Sequence, residues 1–230
     1  MKKIALIIVL LSNSLLIFAG DVATYINLGF SEDSKVFMFG QYGIGEEDMK
    51  AYADIYAVDI KKNVFIKNGV REKVFSDKIQ SGQDGMGGLF MLLRDSCDLV
   101  KKYKINHLLT GRVVYILIDG DEPRERLEFR DFNKGNRYVL TLVQEKFGSG
   151  SNVSSSFHIN VAVTDRNGKT ETFTVGLPSY KRKGVSSYRV KQVVFNPDET
   201  GLVIVVEKDL VTKEGKSIRY MVETLPIYNP

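Results

Sequence analysis

The segment Phe157-His158-Ile159-Asn160-Val161-Ala162-Val163, followed by Asp165-Arg166-Asn167-Gly168, decides the fold class of this chain. Phe157, Ile159, Val161 and Val163 alternate onto one face, the two-residue period of a strand with one apolar side. Asn167-Gly168 then supplies the positive φ values of a tight hairpin, so the next strand returns antiparallel. The same signals recur on both sides. Short runs rich in β-branched and aromatic residues predict strands over 24–30, 35–42, 54–60, 63–67, 110–118, 126–132, 137–147, 157–164, 169–175, 188–195, 202–208 and 217–225. Lys134-Gly135-Asn136 turns the chain between two of them. The prediction is a mainly β fold of packed antiparallel sheets, sandwich-like, with one amphipathic helix over an edge or face. An incomplete or small β-propeller is the alternative, because these strands suffice for three four-stranded blades and closure takes about four.

The helix is expected over about Gly88 to Lys104. Leu89, Leu92, Leu93, Cys97, Val100 and Tyr103 fall at helical spacing, which places Cys97, the only cysteine, on the buried stripe. Lys101, Lys102 and Lys104 sit at its C-terminal end, where the helix dipole favours cations. Gly148 to Ser156 is a flexible connection by composition, short enough to join two strands. No boundary divides residues 21–230, which read as a single domain.

The N-terminus carries an address. Met1-Lys2-Lys3 precedes the apolar run Ile4 to Leu11, then Ser12-Asn13-Ser14, Leu15 to Phe18, and the small residues Ala19 and Gly20. That layout is a secretory signal peptide over residues 1–20, cleaved on export to the periplasm or beyond. Ser12-Asn13-Ser14 interrupts the run and no basic flank follows it, so no stable membrane span is expected after cleavage. Losing Lys2 and Lys3 lowers the net charge from +4 to +2, with acids and bases interspersed. No broad cationic face remains for nucleic acid. A single cysteine rules out an internal disulfide.

Two stretches resemble each other. Leu28-Gly29-Phe30-Ser31-Glu32-Asp33-Ser34-Lys35-Val36-Phe37-Met38-Phe39 and Val193-Val194-Phe195-Asn196-Pro197-Asp198-Glu199-Thr200-Gly201-Leu202-Val203-Ile204-Val205 each run from a strand ending in Phe through a Ser/Asn-x-Asp turn into an apolar strand. The pattern is similar to the blade motif of TolB-type propellers, and a generic hairpin also produces it. Between Tyr25 and about Leu225 the chain also resembles a family of predicted secreted bacterial proteins classed as a domain of unknown function. The resemblance rests on Asn27-Leu28-Gly29-Phe30-Ser31, Phe129-Arg130-Asp131 with Tyr138 and Gln144, Ser156-Phe157-His158-Ile159 and Val175-Gly176-Leu177-Pro178-Ser179-Tyr180. It implies export and a shared fold, and carries no activity.

Candidate chemistry is sparse. His107 and His158 read as boundary or surface residues, and with Cys97 they lack the spacing of a metal site, so no metal and no cofactor is expected. The acidic run Asp119-Gly120-Asp121-Glu122 reads as a solvated turn beside Arg124 and Arg126. Asp121, Glu128 and Asp131 are the carboxylates that an envelope glycan hydrolase would need to face across a cleft. No Gly-x-Ser-x-Gly nucleophile elbow occurs, and Gln83 to Gly88 lacks the Lys-Ser/Thr of a phosphate loop. The stretch Pro178 to Arg189 combines tyrosines with cations in an expected loop. Tyr180, Lys181, Arg182, Lys183, Tyr188 and Arg189 there suit contact with a carbohydrate, an acidic polymer or a protein; a solubilising loop has the same composition. The functional expectation is a non-catalytic binding or scaffold protein of the bacterial cell envelope whose partner is an unidentified protein or envelope component. The glycan hydrolase is the alternative.

Overall fold

The computed structural model describes residues 21–45, 47–80, 82–212 and 215–227; the signal peptide read over residues 1–20 lies outside them. The elements run β1 (Thr24–Ser31), β2 (Val36–Ile44), β3 (Lys50–Asp59), β4 (Val64–Lys78), α1 (Met86–Asp95), α2 (Cys97–Lys102), β5 (Ile105–Asn106) and β6 (Arg112–Ile116). They continue β7 (Arg126–Arg130), β8 (Arg137–Phe147), β9 (Ser154–Thr164), β10 (Thr170–Lys183), β11 (Val185–Phe195), β12 (Gly201–Val211) and β13 (Lys216–Pro226). Every predicted strand has a counterpart. Three antiparallel sheets result: a helix-side sheet β4-β3-β2-β1-β5, a middle sheet β13-β12-β11-β6 and an outer sheet β10-β9-β8-β7.

Side-chain alternation sets the order of the layers. On β12, Leu202, Ile204 and Val206 share a core with Tyr138, Phe157, Ile159 and Val161 of the outer sheet. Val203 and Val205 point the other way, into a core with Phe30, Phe37 and Phe39 of the helix-side sheet. Leu202 through Val206 are all 0% exposed, so this strand is apolar on both faces. Met38, Ala53, Ile55 and Ala57 line the far face of the helix-side sheet, beneath Leu89 and Leu92 of α1 and Leu99 of α2. The architecture is an open stack: helices, then three sheets. The described residues form no closed propeller.

The two similar stretches fold into the same turn. Ser31 Oγ accepts the Val36 N–H at 2.9 Å, and Asn196 Oδ1 accepts the Gly201 N–H at 2.8 Å. Asp33 accepts from the Lys35 N–H, Asp198 from the Thr200 N–H. Ser34 and Glu199 adopt the equivalent left-handed conformation, φ 58° and 56°. These turns also meet, because Asn196 Nδ2 donates to the Ser34 carbonyl at 3.1 Å, tying the middle sheet to the helix-side sheet. The likeness to TolB-type blades reaches no further than this local geometry. Arg112 ties the middle sheet to the outer one, reaching Glu199 at 2.7 Å and Asp131 at 3.2 Å. Just before it, Gly111 (φ +75°) has no room for a Cβ against the Phe195 carbonyl and the Phe30 ring.

Strand β13 ends the middle sheet, and its free edge is covered rather than left open. The Ile218 N–H donates to the Asp21 carbonyl at 2.9 Å. The Tyr220 N–H donates to Gln41 Oε1 at 2.7 Å and the Thr224 N–H to Asn63 Oδ1 at 2.8 Å. Pro226 has no N–H to satisfy.

Two expectations need correction. The single helix is two short ones, broken at Ser96, which is buried and donates its hydroxyl to the Leu92 carbonyl at 2.8 Å. Such back-bonding competes with the helical ladder. The break rotates the second helix so that Leu99 stays inside and Cys97 faces solvent. The expected loop Pro178 to Arg189 is instead strand, turn and strand: β10 runs to Lys183, and Gly184 (φ +77°) turns directly into β11.

Chemical denaturation of the mature protein checks the layering. Ile204→Ala should cost about 2–5 kcal/mol by leaving a cavity. Ile118→Ala, at a side chain 64% exposed, should stay within about 0.5 kcal/mol of wild type.

Candidate functional site

The cation–tyrosine segment takes its shape from a register break. β10 pairs with β9 from Thr170↔Thr164 to Leu177↔Phe157, then resumes at Arg182↔Ser155. Ser156 alone therefore stands opposite the four residues Pro178 to Lys181, which arch out of the ladder. Pro178 has no N–H to leave unpaired, so it suits the start of that arch. Tyr180 stands 58% exposed on it.

Arg182 returns the chain to the sheet. Its guanidinium lies 5.0 Å from the Phe157 ring, 5.1 Å from Tyr180 and 5.9 Å from Tyr188. Such contacts favour the cation without satisfying its directional N–H donors. Arg182 Nη1 is buried with no hydrogen-bond partner. Lys181 Nζ sits 3.7 Å above the Phe147 ring, and Lys183 is exposed at the turn.

The other two predicted contact residues do structural work. Tyr188 is 4% exposed and donates its hydroxyl to the Ser155 carbonyl at 3.1 Å. The Gln144 amide clamps its backbone, accepting the Tyr188 N–H at 2.8 Å and donating to its carbonyl at 3.2 Å. Arg189 is bound to Glu207 and Asp209, at 2.6 Å each. Thus Tyr180, Arg182 and Tyr188 converge, Lys181 and Lys183 flank them, and Arg189 is committed elsewhere.

Sequence reasoning missed Lys208. It is directly opposite Tyr188 in the β11–β12 register, so both project towards the outer sheet. No ion pair engages Lys208 or Arg182 among the described residues, whereas the neighbouring Arg219 is held by Asp21 at 2.5 Å. Burial first, then the charges of Arg182 and Arg219, pull the Lys208 ammonium below the usual lysine range, against the opposing charges of Asp54 and Glu72. The only sequence signal was a polar residue ending the apolar run Leu202 to Val206. Glu223 responds oppositely: burial pushes its carboxyl up, opposed by the hydrogen bond from Asn63 Nδ2 at 2.5 Å and the charge of Arg182. The hairpin thus sets the Arg182 guanidinium beside the exposed Tyr180 ring, with the exposed Lys181 and Lys183 on either side.

The chain matches, over residues 38–225, the family described as predicted secreted protein (DUF2259). The chain belongs to this family. Membership places it among exported proteins, and the description names no activity. No curated protein and no solved structure matches it. Among the described residues of this DUF2259 chain, no helix is long and apolar enough to cross a membrane.

The carboxylates of the hydrolase reading are not brought together. Asp121 lines a cleft with Leu117, Glu122 and Arg124. Glu128 lines another, with Phe129, Gly135 and Arg166, and is neutralised by Arg137 at 2.6 Å and Arg126 at 3.4 Å. The Arg137 hydrogen bond foremost holds its carboxyl below the usual range. Asp131 is 2% exposed under Arg112 and accepts the Asn133 N–H at 3.1 Å. Asp119 of the acidic turn pairs with Lys191 at 2.6 Å. No three His, Cys, Asp or Glu side chains among the described residues are grouped to hold a metal ion. His107 Nδ1 donates to the Leu28 carbonyl at 2.6 Å, a structural role.

Two measurements check this environment. Cys97 should react with a thiol reagent in the native protein about as completely as in the unfolded one, because it is exposed. Glu223→Gln should raise the melting temperature at neutral pH, because a carboxyl raised on folding costs stability once ionised. That gain should shrink as pH falls from neutral towards the unfolded carboxylate value of about 4.3 and be absent below it, where both states are protonated.

Proposed function

We propose that this chain is a non-catalytic binding module of the bacterial cell envelope, working in the periplasm or outside the cell as a single domain over residues 21–230. Its contact surface is the hairpin of β10 and β11, with Tyr180, Lys181, Arg182 and Lys183 facing the partner and Tyr188 and Arg189 bracing it from behind. One observation carries this reading. The hairpin holds an exposed tyrosine, exposed lysines and an arginine without an acidic partner among the described residues, whereas Arg189 and Arg219 of the middle sheet are paired. Unpaired cations beside an exposed aromatic face favour association with an acidic, partly apolar partner. Asp121 and Glu128 line different clefts and Asp131 is buried under Arg112, which favours binding over glycan hydrolysis by these carboxylates.

Retention of purified mature protein on an isolated envelope fraction tests the proposal. Retention should weaken as salt rises, since the contact is led by exposed charge. The double variant Lys181→Glu, Lys183→Glu and the variant Tyr180→Ala should each release the protein at lower salt than wild type. Unchanged retention in both variants would sink the hairpin as the contact surface.

A further inference from the structure

We infer that the free edge of β6 binds an extended polypeptide segment of a partner protein by strand addition. The segment presents apolar side chains to the strand and a lysine or arginine to the acidic turn after it. None of Tyr180 to Lys183 lines this surface, so the inference goes beyond the function proposed above.

The three sheets end in β4 and β5, in β13 and β6, and in β10 and β7. Open edges recruit other chains, and proteins blunt them with charge, proline, brevity, bulges or cover. β4 carries Lys67, Arg71, Glu72 and Lys73, and β7 carries Arg126, Glu128 and Arg130. β5 has two residues, and β10 has Pro178 and its arch. β13 is covered by Asp21, Gln41 and Asn63. β6 differs. Its Arg112 is held by Glu199 and Asp131, and from there the chain reads Val113-Val114-Tyr115-Ile116-Leu117-Ile118, without a charge or a proline. Its protection is a length of five residues and a bulge at Val114, which has no register partner on β11. Leu117 prolongs the ladder by donating its N–H to the Lys191 carbonyl at 2.8 Å. Apart from that ladder, the backbone groups of Val113 to Ile116 make no hydrogen bond among the described residues.

There is room beside this strand. Ile116 and Ile118 line a cleft of about 850 Å³ together with Val22 and Ile26, ahead of the point where β1 meets β5. A second cleft, of about 380 Å³, is lined by Tyr115 to Leu117 and by Asp121 to Arg124, so the turn returning past β6 stands off it. Val22, Val113, Ile116 and Ile118 are all exposed. Unpaired main-chain groups call for another extended backbone, and the aliphatic side chains beside them call for apolar ones in alternation. Charge supplies the remaining term. Asp119, Asp121 and Glu122 stand against Lys191 and Arg124, three acids to two bases, which leaves one negative charge. Lys191 is taken by Asp119 at 2.6 Å, and no ion pair engages Asp121, Glu122 or Arg124 among the described residues. A cation at the adjoining end of the segment answers that excess. A second copy's β6, added antiparallel, would bring its Arg112 end to this turn, and Arg112 is already bound. Charge therefore favours a different chain as the occupant.

The test is calorimetric titration of the mature protein with the blocked peptide acetyl-Lys-Lys-Val-Thr-Val-Thr-Val-amide, beside sedimentation of the protein alone. The peptide should bind saturably. Successive N–H groups of a strand point to opposite edges, so methylating the peptide nitrogens of the valines or of the threonines should have unequal effects. One form should bind about tenfold weaker or worse, as lost main-chain hydrogen bonds require, and the other as the parent does. Replacing the two peptide lysines by glutamates should also weaken binding. In the protein, Ile116→Lys with Ile118→Lys should abolish it, because lysine is the guard this edge lacks. Asp121→Asn with Glu122→Gln, on an exposed turn, should weaken it and serves if the lysine variant folds poorly. Lys181→Glu with Lys183→Glu should leave it unchanged. The inference is overturned if the peptide does not bind, if both methylated forms bind as the parent does, or if the β6 and turn variants are silent. Loss of binding in the hairpin variant alone would place the peptide on the hairpin and overturn it too. Self-association of the protein that Ile116→Lys relieves would overturn the assignment to a different chain.

Discussion

The middle sheet is apolar on both faces, and that constraint organises the rest of the molecule. A strand such as Leu202 to Val206, with every side chain out of water, cannot stand at the surface. Full burial of each such side chain is worth about 1.5–3 kcal/mol, so both faces must be covered. The outer sheet covers one with Tyr138, Phe157 and Ile159, and the helix-side sheet covers the other with Phe30, Phe37 and Phe39. The helix-side sheet then has its own exposed apolar face, and the short helices close it through Leu89, Leu92 and Leu99.

Stacking by apolar area alone would leave the sheets free to slide. Polar contacts at the turns remove that freedom. Asn196 links the middle sheet to Ser34, and Arg112 links it to Asp131 across the other interface. Gln41 and Asn63 reach from the helix-side sheet to the edge of β13. Each satisfies a backbone or charged group that would otherwise be stranded at a buried edge, so each is directional where the core is not. The β10–β11 hairpin is where this pattern lapses. Arg182 is enclosed by three rings, its Nη1 has no hydrogen-bond partner, and no ion pair engages it among the described residues.

The strands were readable because alternation and turn chemistry are local. The Asp165-Arg166-Asn167-Gly168 turn and the paired Ser31 and Asn196 turns are written in adjacent residues, as is the two-residue period of β9. The helix misread has an equally local cause. A helical period continues through Ser96, but its hydroxyl bonds back to Leu92 and breaks the axis, which put Cys97 outside rather than on the stripe. The expected loop from Pro178 to Arg189 failed for a different reason. Proline and charge read as a loop, whereas the arch is a bulge in an edge strand that resumes pairing at Arg182.

By itself, then, the sequence determined the β class, the position of nearly every strand, the antiparallel hairpins and the export signature, because each depends on neighbours in the chain. Only the tertiary structure decided which apolar face met which, that Asp121, Glu128 and Asp131 lie apart, and that Tyr188 and Arg189 support the hairpin from behind. It alone brought Lys208 opposite Tyr188, through the register of β11 on β12. Alternation tells a residue's side of a strand, but its counter-ion comes from whichever strand packs across from it, and that is a property of the stack.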